Sequence, residues 1–585
     1  MKVFRDLFWY FQLRKKHYLF GVLLLIVSGI ITLFPPYVVG VIVDGIETGT
    51  LTQGGLVKWI VWVLLAGVFI YIFDFVWQLM IFGSAFQLGK ILRNRLYEHF
   101  TKMSPSFYQK RRIGDLMAHS TNDVRAVEET AGAGILTLVD SLTMGSLVIA
   151  TMAAFLSWKL TLIALIPMPI MAWATSRYGS MLHKRFDKAQ AAFSKLNDKV
   201  QENVSGTRVI KAFGEEQAEK DSFRDQSKDV VNKNIAVAKI DSLFDPTISL
   251  IVGISFLLAI AFGARYVVNG SLTIGELTTF TIYLGRLIWP LLAFGWLFNI
   301  VERGRASYNR INTLLSIKPD VVNEPNAQNA KPSGNLSYEI ESFAYPEAPA
   351  PALQNIHISL EKGKTLGVVG KTGSGKTTLL KLLLREFDCQ NGDILIGGKS
   401  IYSYTFDALR SAVGYVPQDH FLFSATVGEN IAFGKPEAIM EEIQEAARLA
   451  CIHEDILDFE DGYETVVGER GVTLSGGQKQ RISIARALLM DPEILILDDS
   501  LSAVDAETEE IILNHLRETR TNKTTMIAAH RLSAVEHSDL IIVLEEGSIV
   551  ERGTHETLMN GDDWYASMYR SQQLEVLVSQ GGDSG

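Results

Sequence analysis

At 585 residues the chain is too long for one domain, and two or three are expected. It is 48% hydrophobic with a formal net charge of -10 and a mean hydropathy of +0.16. These values argue against a wholly soluble protein and against nucleic acid as the main partner. The two cysteines, Cys389 and Cys451, lie in the hydrophilic second half and fit reduced thiols better than a disulfide framework.

The apolar excess is concentrated before residue 305. The opening MKVFRDLFWYFQLRKK mixes basic and aromatic residues at helical spacing and carries no cleavable-signal pattern, so it reads as an interfacial helix. A bilayer core needs about 20 mostly apolar residues per helix. Six runs qualify: 18–43, 56–82, 136–155, 160–174, 247–268 and 277–301. Pro35 and Pro36 should kink the first. The connections after runs one, three and five are short and nearly free of cations, whereas those after runs two and four are long and basic. The positive-inside rule then places both termini and both long loops in the cytosol. The long loops are helix-patterned, which predicts helices extending beyond the bilayer, with turns near 106–115 and 206–213. Asp74, Asp140 and Arg286 fall at membrane depth, where they either bond between helices or contact a cargo. Trp77, Trp173, Trp289, Phe294 and Trp296 are candidates to line an apolar pocket.

A polar, proline-containing stretch near 318–335 reads as a linker, giving a membrane domain over 1–318, a linker over 319–335 and a second domain over 336–585. In the second domain short β-rich runs alternate with helical ones, the pattern of an α/β fold with a largely parallel sheet. Residues 370–377 read GKTGSGKT, a G-x-x-x-x-G-K-[ST] phosphate loop, between an apolar run at 365–369 and a helix-like TLLKLLL. Gly370, Lys371, Thr372, Gly373, Ser374, Gly375, Lys376, Thr377 and Thr378 are the candidate ATP-binding residues. Lys376 supplies the charge for the β- and γ-phosphates, and the helix N-terminus favours an anion. Thr377 is the expected hydroxyl on Mg²⁺. Residues 494–497 form a buried-strand run ending in Asp498, whose carboxylate can hold Mg²⁺.

LSGGQ at 474–478, just ahead of that strand, is the signature of ATP-binding cassette proteins, and the chain resembles their exporters along its whole length. The resemblance implies an α-helical six-span transmembrane domain (type IV, or type I exporter, fold) followed by an α/β P-loop nucleotide-binding domain. It also implies ATP and Mg²⁺ as ligands. By the same resemblance Tyr345 stacks on adenine, Gln418 touches Mg²⁺ and the attacking water, and His530 contacts the γ-phosphate. VGERG at 467–471 and SAVD at 502–505 match further exporter motifs. Ser475, Gly476, Gly477 and Gln478 would contact ATP held by a second cassette, so a dimer is implied.

One position departs from the family. Asp499 follows Asp498 where most cassettes place Glu, the carboxylate that orients the attacking water. A shorter acid beside an intact signature implies a half-transporter whose own site is slow and whose signature serves a partner's fast site. The layout is closest to the shorter subunit of Gram-positive heterodimeric multidrug exporters. The expected setting is a bacterial plasma membrane, with a hydrophobic or amphipathic cargo and no nucleic acid. A homodimeric lipid flippase and an ATP-gated regulatory module are the alternatives.

Overall fold

The computed structural model describes residues 2–346, 348–468 and 473–581, with the backbone alone at 291, 294–295 and 575–581. The chain forms two compact units: Met1–Thr101 with Arg112–Ile317, and Lys102–Arg111 with Lys318–Gly585.

The first unit is helical. Four helical stretches among the described residues are long and apolar enough to cross a membrane: Lys15–Glu47, Gln53–Lys102, Ile113–Leu165 and Glu216–Val268. Several of the apolar runs are divided. The fourth run starts after Ser157, whose extended backbone turns the chain and whose hydroxyl caps the new helix. It breaks before Pro167 and continues as Met168–Ser205. The sixth breaks at Leu287 between Ile274–Arg286 and Ile288–Leu315. Pro290, one turn later, cannot donate to the carbonyl of residue 286, which accounts for that interruption. Pro35 and Pro36 act likewise: the Lys15–Thr32 helix ends there and Phe34–Glu47 begins with both prolines in its first turn. Side chains recruit the carbonyls around this break, Tyr283 Oη donating to Leu33 O (2.7 Å) and Thr279 Oγ1 to Pro36 O (3.3 Å). Satisfying backbone groups this way makes a proline tolerable inside a span.

Asp74 is occupied by neighbouring side chains, accepting from Ser28 Oγ (2.7 Å) and Trp77 Nε1 (2.8 Å). The long loops are helices, as their patterning implies: Gln53–Lys102 runs for 50 residues, and Met168–Ser205 pairs with Glu216–Asp241. Short helices stand near both expected turns, Pro105–Gln109 and Thr207–Phe213. Residues 102–111 belong to the second unit, where the Ser106 hydroxyl donates to Asp320.

Among the described residues the second unit holds ten strands: β1 (Leu336–Phe343), β2 (Leu353–Leu360), β3 (Thr365–Gly370), β4 (Asn391–Ile396), β5 (Lys399–Ser400), β6 (Val413–Val416), β7 (Ile494–Asp498), β8 (Thr524–Ala528), β9 (Leu540–Glu545) and β10 (Ser548–Gly553). One sheet, ordered β2-β1-β4-β5, is antiparallel. The other runs β10-β9-β3-β8-β7-β6 and is parallel except for the β10 edge. β7 and β8 are buried at every position, the continuous apolar pattern of strands covered on both faces. The stretch read as a linker packs on this unit: Val322 O accepts from the buried Arg385, and Asn323 Oδ1 caps the helix beginning at Phe406.

Candidate nucleotide site

Three neighbouring parallel strands, β3, β8 and β7, deliver their carboxyl ends to one crevice, the place where open α/β sheets bind ligands. β3 ends in the phosphate loop. Gly370 (φ 145°) and Gly375 (φ 106°) hold backbone conformations that strain other residues, and a Cβ on Gly370 would lie 2.2 Å from Leu544 O. Lys376 Nζ folds back onto the loop, donating to Gly370 O (2.8 Å) and Lys371 O (3.1 Å). The loop thus rings the ammonium, and Ser374 Oγ is buried without a partner. Lys371 pairs outward with Glu545, while Thr372 and Gly373 are exposed.

β7 ends in the paired acids. Thr377 Oγ1 donates to Asp498 Oδ1 (3.0 Å) and Tyr415 Oη to Asp498 Oδ2 (3.2 Å). Burial raises the Asp498 pKa against these two bonds and the charge of Lys381. Burial lowers that of Lys376, opposed by Asp499 and Asp498. In both cases burial disfavours the charged form, which a bound phosphate at Lys376 or a divalent cation at Asp498 would favour. Among the described residues no cluster of three or more His, Cys, Asp or Glu could hold a metal. Mg²⁺ needs no such cluster, since it takes one or two protein oxygens and completes its shell with phosphates and water. The Thr377–Asp498 oxygens are such a set.

Asp499 has φ 49°, in the left-handed region. Its N–H donates to Ala528 O (2.8 Å), fastening β7 to β8, and its Oδ2 accepts from Gln418 Nε2 at 3.4 Å. His530 follows β8 and is exposed; its carbonyl accepts from Gln572 Nε2 (2.9 Å). Tyr345 packs edge-on against Phe343 and Phe387, its hydroxyl 2.9 Å from Thr378 Oγ1.

Ser475 is elsewhere. It caps the Gly476–Leu489 helix, its Oγ accepting from Gln478 N (3.2 Å), while Gln478 Oε1 accepts from Ser475 N (3.0 Å). This reciprocal box fixes a helix N-terminus with Ser475 and Gly476 exposed. Among the described residues no hydrogen bond joins 475–478 to 370–378. Of VGERG, only Val467 and Gly468 lie within the described residues. In SAVD, Asp505 caps the Ala506–Thr519 helix and Ala503 N donates to Gln480 Oε1 (3.0 Å).

Residues 18–291 match the family model of the ABC transporter transmembrane region, and residues 353–502 that of the ABC transporter. The chain is 48% identical over 578 residues to the multidrug resistance-like ATP-binding protein MdlA of Escherichia coli, covering 99% of this chain and 98% of that protein. It is also 48% identical over 580 residues to the probable multidrug resistance ABC transporter ATP-binding/permease protein YheI of Bacillus subtilis, covering 99% of each. The chain belongs to the ABC exporters.

The fold agrees: a bacterial Atm1-family ABC exporter solved with ATP bound superposes at a TM-score of 0.78 and 26% identity, over 96% of this chain and 98% of that one. ATP and Mg²⁺ are therefore the exporter's ligands.

Several supporting residues gave no sequence signal. Tyr415 holds Asp498, Gln480 holds Ala503, Gln572 holds the His530 loop, and Arg531 donates to Val504 O and Glu509. Each lies outside a recognisable motif or beside one, and only folding brings it in. In the membrane unit a cavity of about 860 Å³ is lined by Phe34, Tyr37, Trp62, Phe69, Phe155 and Tyr283 among others. Trp77, Trp173, Trp289 and Trp296 do not line it, and the Phe294 side chain lies outside the described residues. Trp77 is instead buried against Asp74, and Trp289 packs edge-on against Trp296.

Proposed function

We propose that this exporter is one half of a heterodimer that expels hydrophobic or amphipathic compounds, with its own ATP site slow and its signature completing the partner's fast site. The observation that carries this reading is Asp499. Its carboxylate is one methylene shorter than Glu, so its oxygens retreat by about 1 Å, a displacement that can cost on the order of 100-fold in rate. Beside it the signature is fully formed, with Ser475 and Gly476 exposed at a capped helix start. Such an N-terminus suits an anion. Keeping it beside a weakened base makes chemical sense when the phosphate it serves is bound by another chain.

In this reading residues 370–378, with Tyr345, hold this chain's ATP, while Thr377, Asp498 and Gln418 hold Mg²⁺. Asp499 and His530 face the γ-phosphate, and residues 475–478 serve the partner's ATP. Domain limits of 1–318, 319–335 and 336–585, with cytosolic termini, complete the proposal. The relatives named for multidrug resistance support the cargo class, and the layout resembles BmrC of the BmrC/BmrD pair. A homodimeric lipid flippase is the second reading, favoured by 35% identity over 490 residues to an ATP-dependent lipid A-core flippase of Syntrophus aciditrophicus.

The test is ATPase activity and dye efflux in proteoliposomes, with the full chain alone and co-expressed with a second half-transporter carrying Glu after its Walker B aspartate. The chain alone should be nearly inactive and the pair active. Robust turnover and transport by the chain alone would overturn the heterodimer.

A further inference from the structure

The N-terminal segment is seated firmly, with Val3, Leu7 and Tyr10 fully buried and the Tyr10 hydroxyl donating to Ser84 O. Outside it leaves a mixture: Phe8, Leu13, Leu19 and Phe20 are 57%, 63%, 76% and 47% exposed, and Lys2, Arg5, Gln12, Lys15 and Lys16 are exposed beside them. A firmly seated element with apolar and basic residues on its outer face, beside Trp9 and Tyr10 and ahead of a span, belongs at the membrane–water boundary.

At this point a groove of about 570 Å³ opens between the start of the Lys15–Thr32 helix and the Ile135–Thr151 helix. Its wall is Phe11, Tyr18, Leu19, Val22, Ile135 and Val139, and its polar members are Lys15 and Lys16. Tyr18 Oη is spent on Ala131 O (3.2 Å). Among the described residues neither lysine has an ion pair or hydrogen bond, and both are exposed. The volume is that of a ligand site. It joins an apolar slot to two adjacent ammonium groups on stems long enough to reach a headgroup. A neutral hydrophobic cargo would leave the lysines without a counter-charge, and a cationic one would be repelled by them.

We propose that this groove is a binding site for an anionic phospholipid of the cytosolic leaflet. The phosphate meets Lys15 and Lys16, and one acyl chain lies along Leu19, Val22, Ile135 and Val139. The bound lipid ties the interfacial segment to the two helices of the slot.

The test is native mass spectrometry of the full-length protein, in complex with its partner if it requires one, taken from nanodiscs of phosphatidylcholine and phosphatidylglycerol with identical acyl chains. The wild type should retain phosphatidylglycerol over phosphatidylcholine. Lys15→Gln/Lys16→Gln should cut that preference about 30-fold, given the attraction of an anionic surface for each lysine. Lys15→Arg/Lys16→Arg should keep it, and so should Lys58→Gln, which removes a lysine outside the groove. Equal retention of the two lipids by the wild type overturns the site without any variant. An undiminished preference in the Gln pair does the same.

Discussion

At the scale of single residues, Asp499 concentrates two opposed demands. Its left-handed backbone suits Asp better than most side chains, because a short polar group tolerates that region. Its N–H must stay in place, since it joins β7 to β8 through Ala528 O. Restoring the longer acid should therefore trade stability for rate. Asp499→Glu should cost up to ~1 kcal/mol of folding stability while raising turnover of the isolated chain by as much as about 100-fold. Thermal melts and steady-state ATPase on the same preparation check both signs. A melt that falls with no gain in turnover means the length of the acid is not what limits the site. The phosphate loop and Asp498 were legible in the sequence because their chemistry is local: glycines, a lysine and a hydroxyl at fixed spacing. Tyr415 was not, because it lies 83 residues from Asp498 and its hydroxyl meets that carboxylate only through the β6–β7 pairing.

At the scale of elements, the loop after β8 that carries His530 shows how a distant helix reaches a candidate site residue. Gln572, on the Trp564–Gly581 helix, donates its amide to His530 O (2.9 Å) and accepts from Leu532 N (2.9 Å). One side chain so spans the loop on both sides of Arg531. The position lies about 40 residues beyond the loop in a helix without motif, and no periodicity could have named it. Its role is positioning, since it touches backbone rather than nucleotide. Gln572→Ala frees two backbone groups that then turn to water, so the loop wanders rather than unfolds. The expected result, measured on the complete transporter, is a fall in kcat with KM for ATP nearly unchanged; a rise in KM alone would contradict it. The membrane helices were legible for a different reason. Apolar length marks a span and the prolines mark its break, but the side chains that bond the carbonyls at the first break, Thr279 and Tyr283, come from 243 and 250 residues away. The pocket aromatics failed on the same ground: hydropathy cannot distinguish a cavity-facing tryptophan from one packed on Asp74.

At the scale of the whole molecule, the proposed division of labour would make two parts of one nucleotide-binding unit answer to different ATP molecules. In that proposal Asp499 acts on the nucleotide this chain binds, whereas Ser475 acts on the nucleotide its partner binds. In the complete heterodimer, Asp499→Asn removes a base that already contributes little, so total turnover should fall by only a small factor. Ser475→Ala removes a hydroxyl from the fast site, and losing one preorganised donor at developing charge costs on the order of 100-fold. Ser475 is also a helix cap, and Ala at that position costs ~1 kcal/mol of stability. The glycine variant separates the two roles, because Gly caps within a few tenths of a kcal/mol of Ser yet carries no hydroxyl. Ser475→Gly should therefore fold like the wild type and hydrolyse like Ser475→Ala. Were turnover instead to recover in the Gly variant, the serine would be a structural cap and no more. Were Asp499→Asn to silence the complex as fully as loss of the partner's Glu, the sites would be equivalent and the asymmetry would be gone.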